Sequence, residues 1–181
     1  MPLSHDHLAD LQEATADGNL HELWYTSVPD PDGMGDEITR RLGLQEQGSM
    51  LPFTVIQKST GKAVGMTTYM DISTDDRHME IGSTWYRQSF QPTAVNTETK
   101  FLLLRKAFED LDCIAVEFRT HFVNHKSHRA IDRVGAKLGG VLHAHPIMPI
   151  GTIRDTAIYS ITAPEWPTVK ANLQLQLDRP R

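Results

Sequence analysis

The hydrophobic period of this chain changes twice along its length, and those two changes restrict the possible fold more than any other feature. Before Gly48 the apolar residues recur at helical spacing. Leu8, Leu11 and Ala14–Ala16 mark a helix over Asp6–Asp17 that Gly18-Asn19 stops, and a short helical piece covers Leu20–Trp24. Pro29, Pro31 and Gly33 make a turn, after which Ile38, Leu42 and Leu44 face inward from a helix over Asp36–Gln47. After Gly48 the period is that of strands. Leu51–Gln57 and Ala63–Met70 flank the hairpin turn Ser59–Lys62, and the polar turn Asp71–Arg77 leads into a third strand, Met79–Tyr86. From Thr97 onward strand and helix alternate. Phe101, Leu104, Phe108 and Leu111 form one stripe of a helix over Thr97–Asp112, and Ile114, Val116 and Phe118 point inward from a strand over Ile114–Thr120. Asn124 caps a helix ending at Val134, with Gly135 in the left-handed position after it. Leu138–Ile147 and Asp155–Ile161 are strands, and a helical tail begins at Pro164, with Pro167 tolerable only in its first turn. Helices, then a meander, then strand–helix–strand–helix–strand describe a mixed α+β protein with a predominantly antiparallel sheet flanked by helices. Its parallel crossover is where such sheets bind ligands.

Composition narrows the class of function. The 181 residues suit one domain spanning 1–181, large enough to need no disulfide or metal staple. Hydrophobic residues at 39% and charged residues at 23% exclude a disordered polar chain, a collagen-like repeat and a membrane bundle. Lys and Arg number 18 against 23 Asp and Glu, a net charge of −5 without a long run of one sign, so neither nucleic acid nor a membrane surface is an expected partner. The single cysteine, Cys113, has no intrachain partner and points to a reducing compartment. His5, Asp6, His7, Asp10, Glu13 and Asp17 leave no apolar signal-peptide core, and the expected location is cytoplasmic.

The stretch Trp85–Thr97 is the most informative for function. A strand ends, a loop without bulky residues follows, and a strong helix begins, an arrangement that aims backbone N–H groups and the positive end of a helix dipole at one point suited to a pyrophosphate. Local physics alone allows an ordinary strand-to-helix loop as well. Gln91-x-x-Ala94-x-Asn96 resembles the Gln/Arg-x-x-Gly-x-Gly/Ala signature of the GCN5-related N-acetyltransferases. Glu80–Tyr86, the helix start Asn96-Thr97-Glu98, Asn124-x-x-Ser127, Arg133-x-Gly135-Ala136 and the run from Gly151 to Ile161 look like the RimJ/RimL-type branch of that family. The resemblance covers roughly residues 6 to 176 with its motifs in order.

The resemblance implies a fold in which acetyl-CoA enters where the fourth and fifth strands splay apart, here Met79–Tyr86 and Ile114–Thr120. It implies cofactor contacts from Trp85, Tyr86, Gln91, Thr93, Ala94, Val95, Asn96, Thr97, Asn124, Ser127 and Arg129, with Lys100 and Arg105 as further candidates for the phosphates. Two departures stand out. Ala94 and Asn96 replace glycines, which the loop tolerates if residue 94 keeps a negative φ. Relatives also carry one more strand before the first helix, where only Met1–His5 precede it here. A six-stranded sheet is therefore expected, with that edge strand absent or the start short, and the bare edge invites a homodimer.

Acetyl transfer needs a neutral amine, a polarised thioester and a proton for the leaving thiolate. By resemblance Ser127 stands near the sulfur as acid or thiolate-orienting group, one helical turn after Asn124, although a capping role suits the pair equally. The tyrosine that other branches place on this helix is missing. Glu80 is the candidate base, acting through water, or else a strand carboxylate paired with a cation. Trp24 and Tyr25 line the acceptor pocket by resemblance or belong to the core. His121, His125 and His128 fall on two elements, so no metal is expected, and Cys113 lacks the basic neighbour of a nucleophile. The resulting expectation is an acetyl-CoA-dependent N-acetyltransferase acting on a protein N-terminus or a small amine. Its rivals are a non-catalytic acyl-CoA-binding module and a succinyl-CoA-preferring enzyme that uses Arg87.

Overall fold

The computed structural model describes residues 1–91 and 93–179, so Pro92 of the candidate loop lies outside the described residues. The strands are β1 (Met50–Ile56), β2 (Ala63–Ser73), β3 (His78–Tyr86), β4 (Ala115–His121), β5 (Lys137–Leu142) and β6 (Thr156–Thr162). They form a six-stranded, mostly antiparallel sheet in the order β1-β2-β3-β4-β6-β5. The helices are α1 (Leu8–Ala16), α2 (Met34–Glu46), α3 (Val95–Arg105), α4 (His125–Val134) and α5 (Trp166–Asp178). The expected α+β class and strand count are what the fold has. Two compact units share the chain, residues 1–72 with 81–93 and residues 73–80 with 94–181.

In the first unit β1 and β2 pair antiparallel from Met50 against Met70 to Ile56 against Ala63. Gly65 of β2 lies so close to the end of β3 that a Cβ there would stand 2.2 Å from the Trp85 carbonyl oxygen. Leu11, Ala14, Met34, Ile38, Met66 and Trp85 are among the residues of the core beneath the helices. Leu42 and Leu44 are only half-buried, whereas Arg41, on the expected polar side of α2, is 2% exposed. Its Nε pairs with Glu37 at 2.7 Å, and its guanidinium donates to Thr68 Oγ1 at 2.8 Å and to the Ser83 carbonyl at 3.4 Å. Ser83 has φ +47 in the middle of β3, a left-handed residue within a strand, and Arg41 donates to its carbonyl. The expectation of a bare sheet edge is corrected. Leu3 N–H donates to Pro52 O at 3.2 Å, Thr54 N–H donates to Met1 O at 2.9 Å, and Pro2 bridges Phe53, so residues 1–3 lie along β1 as a strand stub.

In the second unit the first residues of β3, His78–Glu80, run parallel to Ala115–Glu117 of β4. β4 then pairs antiparallel with β6, and β6 with β5. Phe101 and Leu104 of α3 are buried as expected, but Leu111 is 45% exposed. The helix continues as a π-helical turn over Lys106–Asp110, with Leu111 N–H reaching Lys106 O at 3.0 Å. The extra residue per turn rotates Leu111 off the stripe. Ile114 is also exposed, because β4 begins one residue later. β5 stops at Leu142 rather than at Ile147. Asn124 caps α4 through Oδ1, which accepts from Ser127 N–H at 3.1 Å, and Gly135 follows at φ +102. Pro167 falls in the first turn of α5.

Candidate active site

The strand-to-helix loop begins in the first unit. After β3 a single helical turn, Gln88–Phe90, brings Gln91 back so that its Nε2 donates to Tyr86 O at 3.0 Å. Thr93 Oγ1 donates to Phe90 O at 2.6 Å. These two side chains hold the loop on the strand end. Trp85 is 6% exposed and its indole belongs to the core, so its side chain does not contribute to a ligand surface. The Tyr86 ring is buried too. Trp24, by contrast, is 47% exposed and stacks edge-on with Tyr25 at 5.6 Å, which removes the core alternative for Trp24. Arg87 is engaged by Asp17 at 2.8 Å and Glu13 at 3.3 Å, and the bond to Arg87 holds the Asp17 carboxyl below its usual range. A guanidinium neutralised by two carboxylates is a poor partner for a third, which weakens the expectation that Arg87 reads a succinyl group.

The helix start lies in the second unit. Ala94 is the N-cap of α3 with φ −68 and ψ −12, so the position expected to replace a glycine needs no positive φ. The methyl side chain offers no capping acceptor, and Glu98 N–H bonds to Ala94 O at 2.8 Å. The first turn of a helix has N–H groups that the helix itself cannot satisfy, and Asn96 and Thr97 belong to that turn of α3. Ala94, Val95 and Asn96 are half-buried and Thr97 is buried. On α4, Asn124 caps as described, Ser127 is half-buried with a hydroxyl that bonds to no described residue, and Arg129 is exposed.

Glu80 is 6% exposed at the end of the β3–β4 register, with Arg119 Nε 3.4 Å from its carboxylate. Arg119 also pairs with Glu117 at 3.0 Å. Lys100 does not present its charge to solvent as a phosphate ligand would. It is 6% exposed, its Nζ lies 5.6 Å from the centroid of the Phe118 ring, and burial pushes its pKa down to about 7 against the opposing charge of Glu80. Sequence contained the signal, since Lys100 stands three residues after Thr97 and four before Leu104, on the buried side of α3. Arg105 is exposed beside the Phe101 ring. His121 and His128 make side-chain hydrogen bonds, whereas His21 and His78 each bury an Nδ1 without a partner among the described residues. His128 Nε2 lies 3.0 Å from Phe122 O, which fixes the proton there and leaves Nδ1 to accept the Tyr159 hydroxyl at 2.6 Å. Among the described residues no group of three His, Cys, Asp or Glu is placed to hold a metal ion, and no helix is long and apolar enough to cross a membrane.

A loop running from a strand end into a helix start without a side-chain cap, in a sheet of this order, is the frame of a known class. The family described as "Acetyltransferase (GNAT) domain" matches residues 1–137, and the chain belongs to that family of N-acetyltransferases, which transfer acyl groups from acyl-CoA. A GCN5-related N-acetyltransferase from Brucella melitensis is similar in structure with a TM-score of 0.85 and 28% identity over 97% of this chain and 80% of that one. RimJ of Mycobacterium smegmatis, solved with CoA-disulfide, shares the fold at 20% identity with a TM-score of 0.81, covering 98% of this chain and 88% of that one. The ribosomal-protein-S5-alanine acetyltransferase of Vibrio fischeri shares it at 13% identity and a TM-score of 0.72, covering 92% and 93%. No curated protein sequence matches the chain.

Proposed function

We propose that this chain transfers an acetyl group from acetyl-CoA directly to a primary amine, on a protein N-terminus or a small molecule, as one cytoplasmic domain. The amine nitrogen attacks the thioester carbonyl, the carbon–sulfur bond breaks, and the proton lost by nitrogen ends on the thiolate, giving an amide and free CoA. The observation that carries the reading is Ala94 at φ −68, because the departure that most threatened the phosphate loop is accommodated without strain. Backbone amides of the first turn of α3, at Asn96 and Thr97, would hold the pyrophosphate, since Thr93 N–H is already given to Phe90 O at 3.1 Å, and Asn124 would fix the start of α4. Ser127 would point its hydroxyl at the sulfur, and the wall of Trp24 and Tyr25 would meet the acceptor. Glu80, ion-paired with Arg119, serves charge balance in this reading, and the enzyme takes the amine from its neutral fraction. The homodimer expectation loses the bare β1 edge that argued for it, so the reading assigns no oligomeric state.

The test is release of free thiol from acetyl-CoA across an amine panel, with the product identified by mass. Amine-dependent thiol release with an acetylated product is expected. Binding of CoA without thiol release for any amine would leave only an acyl-CoA-binding module.

A further inference from the structure

Residues 145–154 of the second unit form a short hairpin arm. Ile147 bridges Ile153, Met148 N–H donates to Thr152 O at 2.8 Å, and Gly151 N–H closes the turn onto Met148 O at 2.8 Å. Arg154 sits at its base, held on both sides of its backbone. Its N–H donates to Pro146 O at 2.9 Å, and its carbonyl accepts from His145 N–H at 2.6 Å. The next residue is tied to the turn that leads into α4, since Phe122 N–H donates to Asp155 O at 3.0 Å, and Asn124 N–H donates to His121 O at 2.8 Å. Arg154 is thereby fixed beside the segment that carries Asn124 and Ser127.

The side chain of Arg154 is half-buried, and its Nε is out of contact with water. Among the described residues that Nε has no hydrogen-bond acceptor, and no carboxylate forms an ion pair with Arg154. Burial lowers the Arg154 pKa, and the charge of Glu80 offsets part of that effect from a distance. The carboxylates of Glu80 and Glu117 lie against Arg119, and Asp155 faces His143 at 2.9 Å. The pKa of His121 is lowered by burial and then by Arg154, and its Nδ1 accepts from Val123 N–H at 3.3 Å, so it adds no competing charge. A guanidinium nitrogen drawn from water without a matched acceptor is destabilising, and it persists where function supplies a partner for the group. Its planar fork of donors fits a carboxylate in two parallel bonds, and its pinned backbone reduces the ordering lost on binding.

We propose that Arg154 docks a carboxylate carried by one of the two substrates, either the amine acceptor or the acyl group, a claim that rests on the acyl-transfer reading above. The enzyme is then selective for amino acids over simple amines, or for dicarboxylic acyl-CoAs over acetyl-CoA. Two comparisons separate these sources. In one, free amino acids are set against the amines that lack only the α-carboxylate, with acetyl-CoA as donor. In the other, succinyl-CoA is set against acetyl-CoA with those simple amines as acceptors. The carboxylated member of one pair should be preferred by about tenfold or more in kcat/KM. Arg154→Gln should reduce that preference by about tenfold, and Arg154→Lys should restore part of it. No preference in either pair, or an Arg154→Gln protein that slows both members alike, overturns the proposal.

Calorimetric titration with succinate and with the same amino acids, in the presence of CoA, reads the carboxylate site without turnover. Binding that Arg154→Gln weakens, in a protein that acylates no amine, would keep the carboxylate site and overturn the acyl-transfer reading. Binding unchanged by Arg154→Gln would overturn the site itself.

Discussion

Arg41 in the first unit and Arg154 in the second both hold guanidinium nitrogens out of water, and their surroundings differ in the acceptors they offer. Arg41 is almost fully buried, and Glu37, Thr68 and the Ser83 carbonyl meet its donors. Arg154 is less buried, yet its inner nitrogen meets no acceptor among the described residues. A cation whose donors are matched by its own chain is part of the scaffold. One left unmatched in a family that handles acyl groups and amines is available to a ligand. Burial by itself does not distinguish the two, and the count of acceptors does.

Stability measurements can break this comparison. Arg41→Met should cost the most, about 3 kcal/mol, because it leaves Glu37 with one cation fewer and strands the Ser83 carbonyl and the Thr68 hydroxyl. In a chain of this length that is a fall in Tm of roughly 6 to 12 °C. A loss below about 1 kcal/mol would mean that Arg41 is not what holds Ser83 at positive φ.

Lys100 gives the next largest effect. In the unfolded chain it releases its proton near its ordinary value of 10.5, and in the folded chain at about 7. The unfolded state therefore binds more protons between those values, and stability rises with pH across that window. Measured against Lys100→Met, the wild type should gain about 2 kcal/mol between pH 7 and pH 9. Parallel profiles for the two proteins would show that Lys100 keeps its proton when folded.

Arg154→Met should have the smallest effect, within about 0.5 kcal/mol of the wild type or slightly stabilising, since it removes a cation without an ion pair. A loss approaching that of Arg41→Met would place Arg154 in the scaffold and erase the contrast.

Much of the fold was legible because local pattern and tertiary packing agree. The β-branched and aromatic run Met79–Tyr86, the Asn124 cap and the Gly135 stop are each fixed within a few residues, and the structure keeps a strand, a cap and a stop there. Other features depend on partners distant in sequence. Arg41 faces inward because Thr68 and Ser83 receive it, and no periodicity in α2 announces a carbonyl acceptor forty-two residues away. Leu111 left its stripe through a single π-helical turn, and residues 1–3 found β1 across some fifty residues of chain. At the candidate site the loop and both helix starts could be read from the sequence. The state of each charged side chain could not, since Arg87 is neutralised by α1 and by the residue after it, Lys100 is buried on Phe118, and Arg154 is left without an acceptor.

Thermal unfolding with acetyl-CoA, CoA and NAD at matched concentration tests the acyl-CoA reading most directly. At about one hundred times the dissociation constant a ligand adds roughly 2.7 kcal/mol, which in this chain is a rise in Tm of roughly 5 to 10 °C. Acetyl-CoA and CoA should both produce that rise and NAD should not. No shift with either thioester or thiol would contradict the account, because a loop that keeps its backbone with Ala94 and Asn96 in place would then have lost the ligand it is proposed to hold.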